Sequence, residues 1–313
     1  MATTSPGTGT AAAAHSNETA FVFVPNLCNA ACAFCYVRPS LSREAHASKL
    51  VLRRARAAAE ALAGLGFREV RFTGGEPTIF ANLPEIIEPF LEFDLQYRVL
   101  TNAIDVEAQL PFFSRHPPER FTISVHDTAD PSSTFGVSMS REQWAENRRK
   151  LVSISEVEAT FVLADAAHEE SIVHHAIGEL ANDGIRHIKL ILENSHQQNS
   201  QIFSKVANNL RKEWNDTFET FRFTATEAVT CKLPDRAFPS IELGRGAVYA
   251  CCVQVGDRHL PSGHFSRFAT DVDAARKAID SVITSARSYR TSFLPCSEGS
   301  RFCPIALDQR RDN

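Results

Sequence analysis

The sequence has no apolar run of the length that a membrane-spanning helix needs, so we expect no contact with a membrane. It also lacks an excess of positive charge, because 33 Lys and Arg stand against 37 Asp and Glu, for a net charge of −4. A nucleic-acid partner is therefore not expected, since phosphate backbones are bound through clustered basic side chains.

The N-terminal segment, residues 1–19, lacks the basic start and the apolar stretch of a secretory signal peptide. Its Ala, Thr and Gly bias predicts a disordered tail. Without export we expect a cytoplasmic, reducing location. The eight cysteines are then expected to be metal ligands, reactive thiols or buried apolar side chains rather than disulfides.

Between residues 20 and 215, short apolar runs alternate with segments of helical periodicity. The predicted strands are Phe21–Val24, Glu69–Thr73, Tyr97–Thr101, Phe121–Val125, Ala159–Leu163 and His187–Leu192. The predicted helices are Arg43–Leu65, Leu83–Phe93, Val106–Phe113, Arg141–Ser153, Glu169–Asn182 and Gln201–Trp214. Six successive β–α units predict an α/β fold with a parallel sheet and right-handed crossovers, either open or partly closed into a barrel.

After Trp214 the alternation stops, and five of the eight cysteines lie in this last third. Phe221–Glu227 and Val248–Val255 are predicted strands of a hairpin, and Val272–Tyr289 is a predicted helix. The change of pattern predicts a core domain over residues 20–215 and a smaller α+β domain over residues 216–313.

Three cysteines, Cys28, Cys32 and Cys35, follow the first predicted strand in a C-x3-C-x2-C pattern. Three thiolates can hold three irons of a 4Fe–4S cluster and leave the fourth iron open for a small molecule. The spacing alone also fits buried structural cysteines, or a zinc site with His46 as the nearest fourth ligand.

An aromatic residue, Phe34, precedes the third cysteine, and this pattern resembles the signature of the radical S-adenosylmethionine (SAM) superfamily. The second predicted strand leads into a segment that resembles the GGEP motif of the same family: Gly74, Gly75, Glu76 and Pro77. The resemblance implies a partial (β/α)6 TIM-like barrel that carries a 4Fe–4S cluster and SAM.

In this family the open iron binds the amino and carboxylate groups of SAM, and the GGEP loop contacts the methionine amino group. Reductive cleavage of SAM releases methionine and a 5′-deoxyadenosyl radical, which abstracts hydrogen from the substrate. The resemblance further implies a reduced flavodoxin or ferredoxin as the electron donor.

Further SAM contacts are implied by resemblance at three positions. Phe34 would lie against the adenine. Asn102 stands in a Thr-Asn pair that relatives often follow with Gly, where this chain has Ala103. Ser124 matches a serine that contacts the ribose or the carboxylate of SAM. Core packing or a strand-end turn explains each of these residues equally well.

A second group of cysteines resembles the auxiliary-cluster module of the SPASM and twitch subfamilies. Cys231 is followed, after fourteen residues, by Gly246 and then by Cys251 in G-x4-C spacing. The later cysteines of a full SPASM pattern are missing, so the resemblance implies one auxiliary 4Fe–4S cluster of the twitch type. Its implied ligands are Cys231, Cys251, Cys296 and Cys303, with Cys252 left over. Four thiolates also suit zinc.

No motif assigns a catalytic acid or base. The candidates are His126 and Asp127 at the end of the fourth predicted strand, Glu193 at the end of the sixth, and Glu227. Each also fits an ordinary surface turn.

The function favoured by these features is a radical SAM oxidoreductase acting on a small molecule in natural-product or cofactor biosynthesis, with the auxiliary cluster accepting an electron. The alternative is a maturase that crosslinks, epimerises or dehydrogenates a peptide or protein side chain. Many such maturases carry an N-terminal peptide-recognition domain, whereas about 20 residues precede the first predicted strand here, which favours the small molecule. A separate peptide-binding protein could supply the same recognition. A structural zinc or cluster protein is a third class, which would not need a GGEP loop.

Overall fold

The computed structural model describes residues 19–32, 35, 40–125, 127–163, 166–192, 200–224, 239–250, 255 and 265–288. The strands β1 to β12 are Thr19–Phe23, Leu27–Cys28, Ser40–Leu41, Glu69–Thr73, Gln96–Thr101, Arg120–Val125, Glu156–Leu163, His187–Leu192, Thr220–Thr224, Ser240–Glu242, Ala247–Tyr249 and Phe265–Arg267. The helices α1 to α8 are Lys49–Gly64, Leu83–Glu92, Leu110–Arg115, Pro131–Phe135, Arg141–Val152, Ala166–Asn182, Ser200–Trp214 and Val272–Ser288.

Ten strands form one sheet in the order β12-β11-β10-β1-β4-β5-β6-β7-β8-β9. Strands β1 and β4 to β9 are parallel and follow chain order, so right-handed crossovers place their helices on one face of the sheet. Strand β1 pairs with β4 and β10 rather than with β9, so the strands do not close a full barrel. The architecture is that of a partial α/β barrel.

The two faces of the sheet differ in polarity, as β6 illustrates. Phe121, Ile123 and Val125 are fully buried in the core beneath the helices. The alternate residues of the strand lie on the opposite face, where Arg120 pairs with Glu156 of the adjacent strand β7. This concave face is therefore polar, unlike the apolar interior of a closed TIM barrel.

All six predicted strands are present in the parallel sheet, and two of them have the predicted bounds. The predicted start of the first helix at Arg43 is wrong, because α1 begins at Lys49. Ser48 ends the preceding extended segment, and its side chain accepts the backbone N–H of Val51 as an N-cap. His46, considered above as a zinc ligand, consequently lies before the helix and is exposed.

The chain after Trp214 differs from the prediction in its pairing. Strand β9 pairs in parallel with β8 and so forms a seventh parallel strand of the main sheet. The predicted hairpin between this segment and Val248–Val255 is wrong: β11 pairs with β10 and β12, at the other end of the sheet. The predicted domain boundary at 215/216 thus lies within one continuous sheet, and the division itself stays a prediction.

Among the described residues, no helix combines the length and the apolar character that crossing a bilayer requires.

Candidate functional site

The three clustered cysteines lie at the carboxyl end of β1, where α/β barrels place their functional residues. Cys28 is the second residue of β2 and is 7% exposed, whereas Cys32 and Cys35 are half-buried. All three are free thiols. The backbone N–H of Cys35 donates to the carbonyl of Cys32 at 3.2 Å, which turns the loop back on itself.

The loop that carries the three cysteines, called the cysteine loop below, is held in place by contacts with the residues at the end of α4. The backbone N–H of Ala31 donates to the carbonyl of Phe135, the last residue of α4, at 2.7 Å. Gly136 follows with a φ of +64°, and a Cβ there would lie 2.8 Å from the Ala31 carbonyl oxygen. The absence of a side chain at Gly136 therefore allows the close approach of the two loops.

The cysteines are close enough to influence one another electrostatically. Burial raises the pKa of Cys28 to about 12, and the negative charges of Glu76 and of the two other thiolates add to the effect. Burial and the charge of Cys35 raise the pKa of Cys32 to about 11. Three neighbouring thiols whose anions repel one another form a donor set that a cationic metal centre would stabilise.

The Gly74–Pro77 loop, which follows β4, packs directly on the cysteine loop. Gly74 has a φ of +137°, and a Cβ there would lie 2.8 Å from the carbonyl oxygen of Val24. A Cβ on Gly75 would lie 1.8 Å from the carbonyl oxygen of Leu27, and the N–H of Glu76 donates to that oxygen at 2.8 Å. Only glycines permit this backbone contact next to Cys28.

The Glu76 carboxylate is buried, with 1% exposure, and accepts four hydrogen bonds. Oε1 accepts from the backbone N–H of Thr78 at 3.1 Å, from its hydroxyl at 2.8 Å and from the hydroxyl of Thr101 at 2.7 Å. Oε2 accepts from the backbone N–H of Asn102 at 2.7 Å. Burial raises the pKa of this carboxyl, and the four donors oppose that shift. Glu76 thereby connects the ends of β4 and β5. Pro77 begins the short 3₁₀ turn Pro77–Ile79 that leads from the loop towards α2.

Asn102 connects the end of β5 to the cysteine loop. Its Nδ2 donates to Asn29 Oδ1 at 2.8 Å and approaches the Sγ of Cys28 at 3.9 Å, within hydrogen-bonding range for sulfur. Its Oδ1 accepts the backbone N–H of Ile104 at 2.9 Å. The two sequence motifs and the Thr-Asn pair thus meet in one contiguous site at adjoining strand ends.

The comparisons with known proteins find a family match for the part of the chain that carries this site. Residues 22–161 match the family model described as the Radical SAM superfamily. Over this segment the chain is similar to radical SAM domains. No curated protein matches the chain.

Solved structures resemble the whole described fold. The structure of Streptococcus suis SuiB bound to S-adenosylmethionine has a TM-score of 0.67 at 12% identity, covering 93% of this chain and 72% of that one. SuiB bound to precursor peptide SuiA also gives 0.67 at 12% identity, covering 94% and 73%. Native anSMEcpe with bound AdoMet gives 0.62 at 12% identity, covering 91% and 90%. Identities this low show a shared fold alone.

Two of the remaining predicted site residues lie among the described residues. Ser124 is exposed on the polar face near the carboxyl end of β6. Asp127 accepts the backbone N–H groups of Ala129 at 2.8 Å and Asp130 at 3.2 Å through Oδ1, the hydrogen bonding of a turn. Its predicted role in acid–base chemistry stays a prediction.

The other predicted site residues lie outside the described residues, so their roles also stay predictions. They are Phe34, His126, Glu193, Glu227, Cys231, Cys251, Cys296 and Cys303.

Helix α5 supplies two residues, unforeseen from the sequence, that support the loop after β5 without lining the site. Trp144 donates its Nε1–H to the carbonyl of Asn102 at 2.9 Å. Asn147 donates to the carbonyls of Ala103 at 3.1 Å and Ile104 at 2.8 Å. Helical periodicity places both residues on the buried face of α5, but only the fold shows which loop they contact.

Ala103 has a φ of +57° and is fully buried, at the position where the family resemblance implies glycine. We expect Ala103→Val to lower the free energy of unfolding by about 2 to 4 kcal/mol, because a β-branched side chain is strained at positive φ and has no space in the core. Ala103→Gly is the matched control and should lie within about 1 kcal/mol of wild type, since relief of strain offsets the lost methyl group. Urea unfolding of the three proteins measures this, and equal stability of Ala103→Val and wild type would contradict it.

Proposed function

We propose that the chain is a radical SAM oxidoreductase that cleaves SAM reductively and abstracts hydrogen from a small-molecule substrate. The observation that carries the proposal is the direct packing of the Gly74–Pro77 loop on the loop that holds Cys28, Cys32 and Cys35. A structural metal site needs clustered thiols, but it does not need an amino-acid-binding loop packed against them.

The described residues fit a site-differentiated cluster together with SAM. Cys28, Cys32 and Cys35 would hold three irons, and the open backbone at Gly74 and Gly75 would accommodate the methionine part of SAM. When bound, these groups supply one-electron cleavage of the SAM carbon–sulfur bond and hydrogen abstraction from the substrate. A reduced flavodoxin or ferredoxin would provide the electron. Glu76 positions Asn102 by accepting its backbone N–H.

The concave face supports a polar ligand. Ser124, near the carboxyl end of β6, is the neighbour in register of Thr160, in the middle of β7. Within the described part of the chain, the buried hydroxyl of Thr160 has no hydrogen-bond partner. A buried hydroxyl without a partner costs free energy, and a polar group of SAM or of the substrate would satisfy it.

We further propose that Cys231, Cys251, Cys296 and Cys303 hold one auxiliary 4Fe–4S cluster. It would accept the electron that remains on the substrate radical after hydrogen abstraction. Loss of one hydrogen atom and one further electron makes the net reaction an oxidation of the substrate. The support is the cysteine spacing and its resemblance to the twitch module.

A peptide is the second candidate substrate. The observation that favours it is the likeness in fold to SuiB, which has been solved with precursor peptide SuiA bound. Stimulation of SAM cleavage by panels of metabolites and of peptides would discriminate the two classes, because a substrate accelerates turnover and a non-substrate does not.

Anaerobic reconstitution followed by assay with dithionite and SAM tests the proposal. We expect about eight irons per chain, which is about four for each of two cubane clusters, and formation of 5′-deoxyadenosine with methionine. If the protein forms 5′-deoxyadenosine but contains only about four irons per chain, the auxiliary cluster is contradicted and the SAM-cleaving cluster is not. Reconstituted protein that forms no 5′-deoxyadenosine would contradict the radical SAM assignment of function.

A further inference from the structure

The three cysteines of the site differ in their surroundings. Cys28 is the buried one, and its Sγ has two N–H groups directed at it. The backbone N–H of Ala30 lies 3.4 Å away, and the Nδ2 of Asn102 lies 3.9 Å away. The first donor belongs to the cysteine loop itself, whereas the second comes from the end of β5, 74 residues along the chain. A distant residue thus contributes a donor to this one sulfur.

The orientation of the Asn102 amide follows from its other contacts. Its oxygen accepts the N–H of Ile104, so the amide nitrogen must face the opposite way. That nitrogen carries two hydrogens, one directed at Asn29 Oδ1 and the other available to the sulfur. The reversed amide would place nitrogen against the N–H of Ile104 and oxygen against a thiolate, both repulsive.

The backbone of Asn102 is held from two sides. Its N–H donates to Glu76 at 2.7 Å, and its carbonyl accepts the indole N–H of Trp144 at 2.9 Å. Asn102 is itself 7% exposed. The amide is therefore a preorganised dipole in a site with little water, where hydrogen bonds act more strongly than in solution.

We propose that Asn102 raises the reduction potential of the cluster through an N–H···S hydrogen bond to the Cys28 ligand, an inference that rests on the proposed function. Reduction adds negative charge to the cluster and its sulfurs, and a donor directed at a sulfur stabilises that charge. Hydrogen bonds to the sulfurs are among the factors that set the potentials of iron–sulfur clusters. The Glu76 carboxylate acts in the opposite sense, since its negative charge disfavours further negative charge at Cys28.

Two substitutions of Asn102 test this role. Asn102→Ala removes the donor. Asn102→Ser also removes it, because serine is too short to reach Cys28, but its hydroxyl can still accept the N–H of Ile104 and preserve the turn. We expect both variants to assemble the cluster and to have a more negative midpoint potential than wild type. The midpoint potential is measured by electron paramagnetic resonance during an anaerobic redox titration. The signal followed is the one that changes when SAM is added.

Asn147→Ala is the matched control. It deletes an asparagine side chain whose amide holds the same loop at the Ala103 and Ile104 carbonyls, but it leaves the donor to the sulfur in place. Its midpoint potential should equal that of wild type. An equal shift in Asn147→Ala would show that loop position matters rather than the donor, and no shift in either Asn102 variant would also overturn the inference. Wild-type protein without a SAM-responsive cluster signal would instead overturn the proposed function, and the inference with it.

Discussion

Replacing Cys32 with alanine is expected to abolish the formation of 5′-deoxyadenosine from SAM. Two remaining thiolates cannot hold three irons of a cubane, so the site should lose its cluster and about four of the irons in the reconstituted protein. Cys32 is a better choice than Cys28, which is buried in the core, where loss of packing would complicate the result. The carbonyl of Cys32, which accepts the N–H of Cys35, is retained in the variant.

The matched control is Cys252→Ala, at the cysteine to which the sequence analysis gives no ligand role. It should keep the iron content and the 5′-deoxyadenosine formation of wild type. Iron analysis and chromatography of the quenched reaction measure both quantities. Product formation by Cys32→Ala at the wild-type rate would show that this cysteine is not a ligand of the catalytic cluster, and the assignment of the site would have to be abandoned.

The parallel strands could be predicted from sequence because each carries apolar residues that are buried beneath the helices. His187–Leu192 has the same bounds in the prediction and in the structure. Pairing partners could not be predicted in the same way. The run that contains β9 reads as a strand, but its sequence does not indicate whether it joins β8 or a separate hairpin. Pairing depends on long-range contacts that local periodicity does not encode.

The meeting of the two motifs could also be predicted, since adjacent parallel strands bring their carboxyl ends together. The hydrogen-bonding partners of Glu76 could not. The family resemblance implies a contact with SAM, and that role stays a prediction. The fold adds four donors from the chain itself, two at Thr78 and one each at Thr101 and Asn102. Such partners depend on rotamers and on strand register, which a motif does not specify.

Gly75→Ala is expected to damage both the stability of the fold and the assembly of the site. The added Cβ would lie 1.8 Å from the carbonyl oxygen of Leu27 and 2.4 Å from its carbonyl carbon. Both contacts are with backbone, so no side chain can rotate away, and one loop must move. We expect the free energy of unfolding to fall by at least about 3 kcal/mol, which is the upper end of the range for substitutions that overpack a core. Because Leu27 precedes Cys28, the displaced loop should also bind less iron.

A glycine in a helix provides the matched control. Gly178 lies within α6, and a Cβ there would lie 3.5 Å from the Trp214 ring, an ordinary van der Waals distance. Gly178→Ala should therefore raise the free energy of unfolding by about 0.5 to 1 kcal/mol, because alanine favours the helix. Urea unfolding and iron analysis of both variants separate the two expectations. If Gly75→Ala unfolds at the wild-type urea concentration and binds the same iron, the close contact between the glycine loop and the cysteine loop is not required, and the site loses its main structural support.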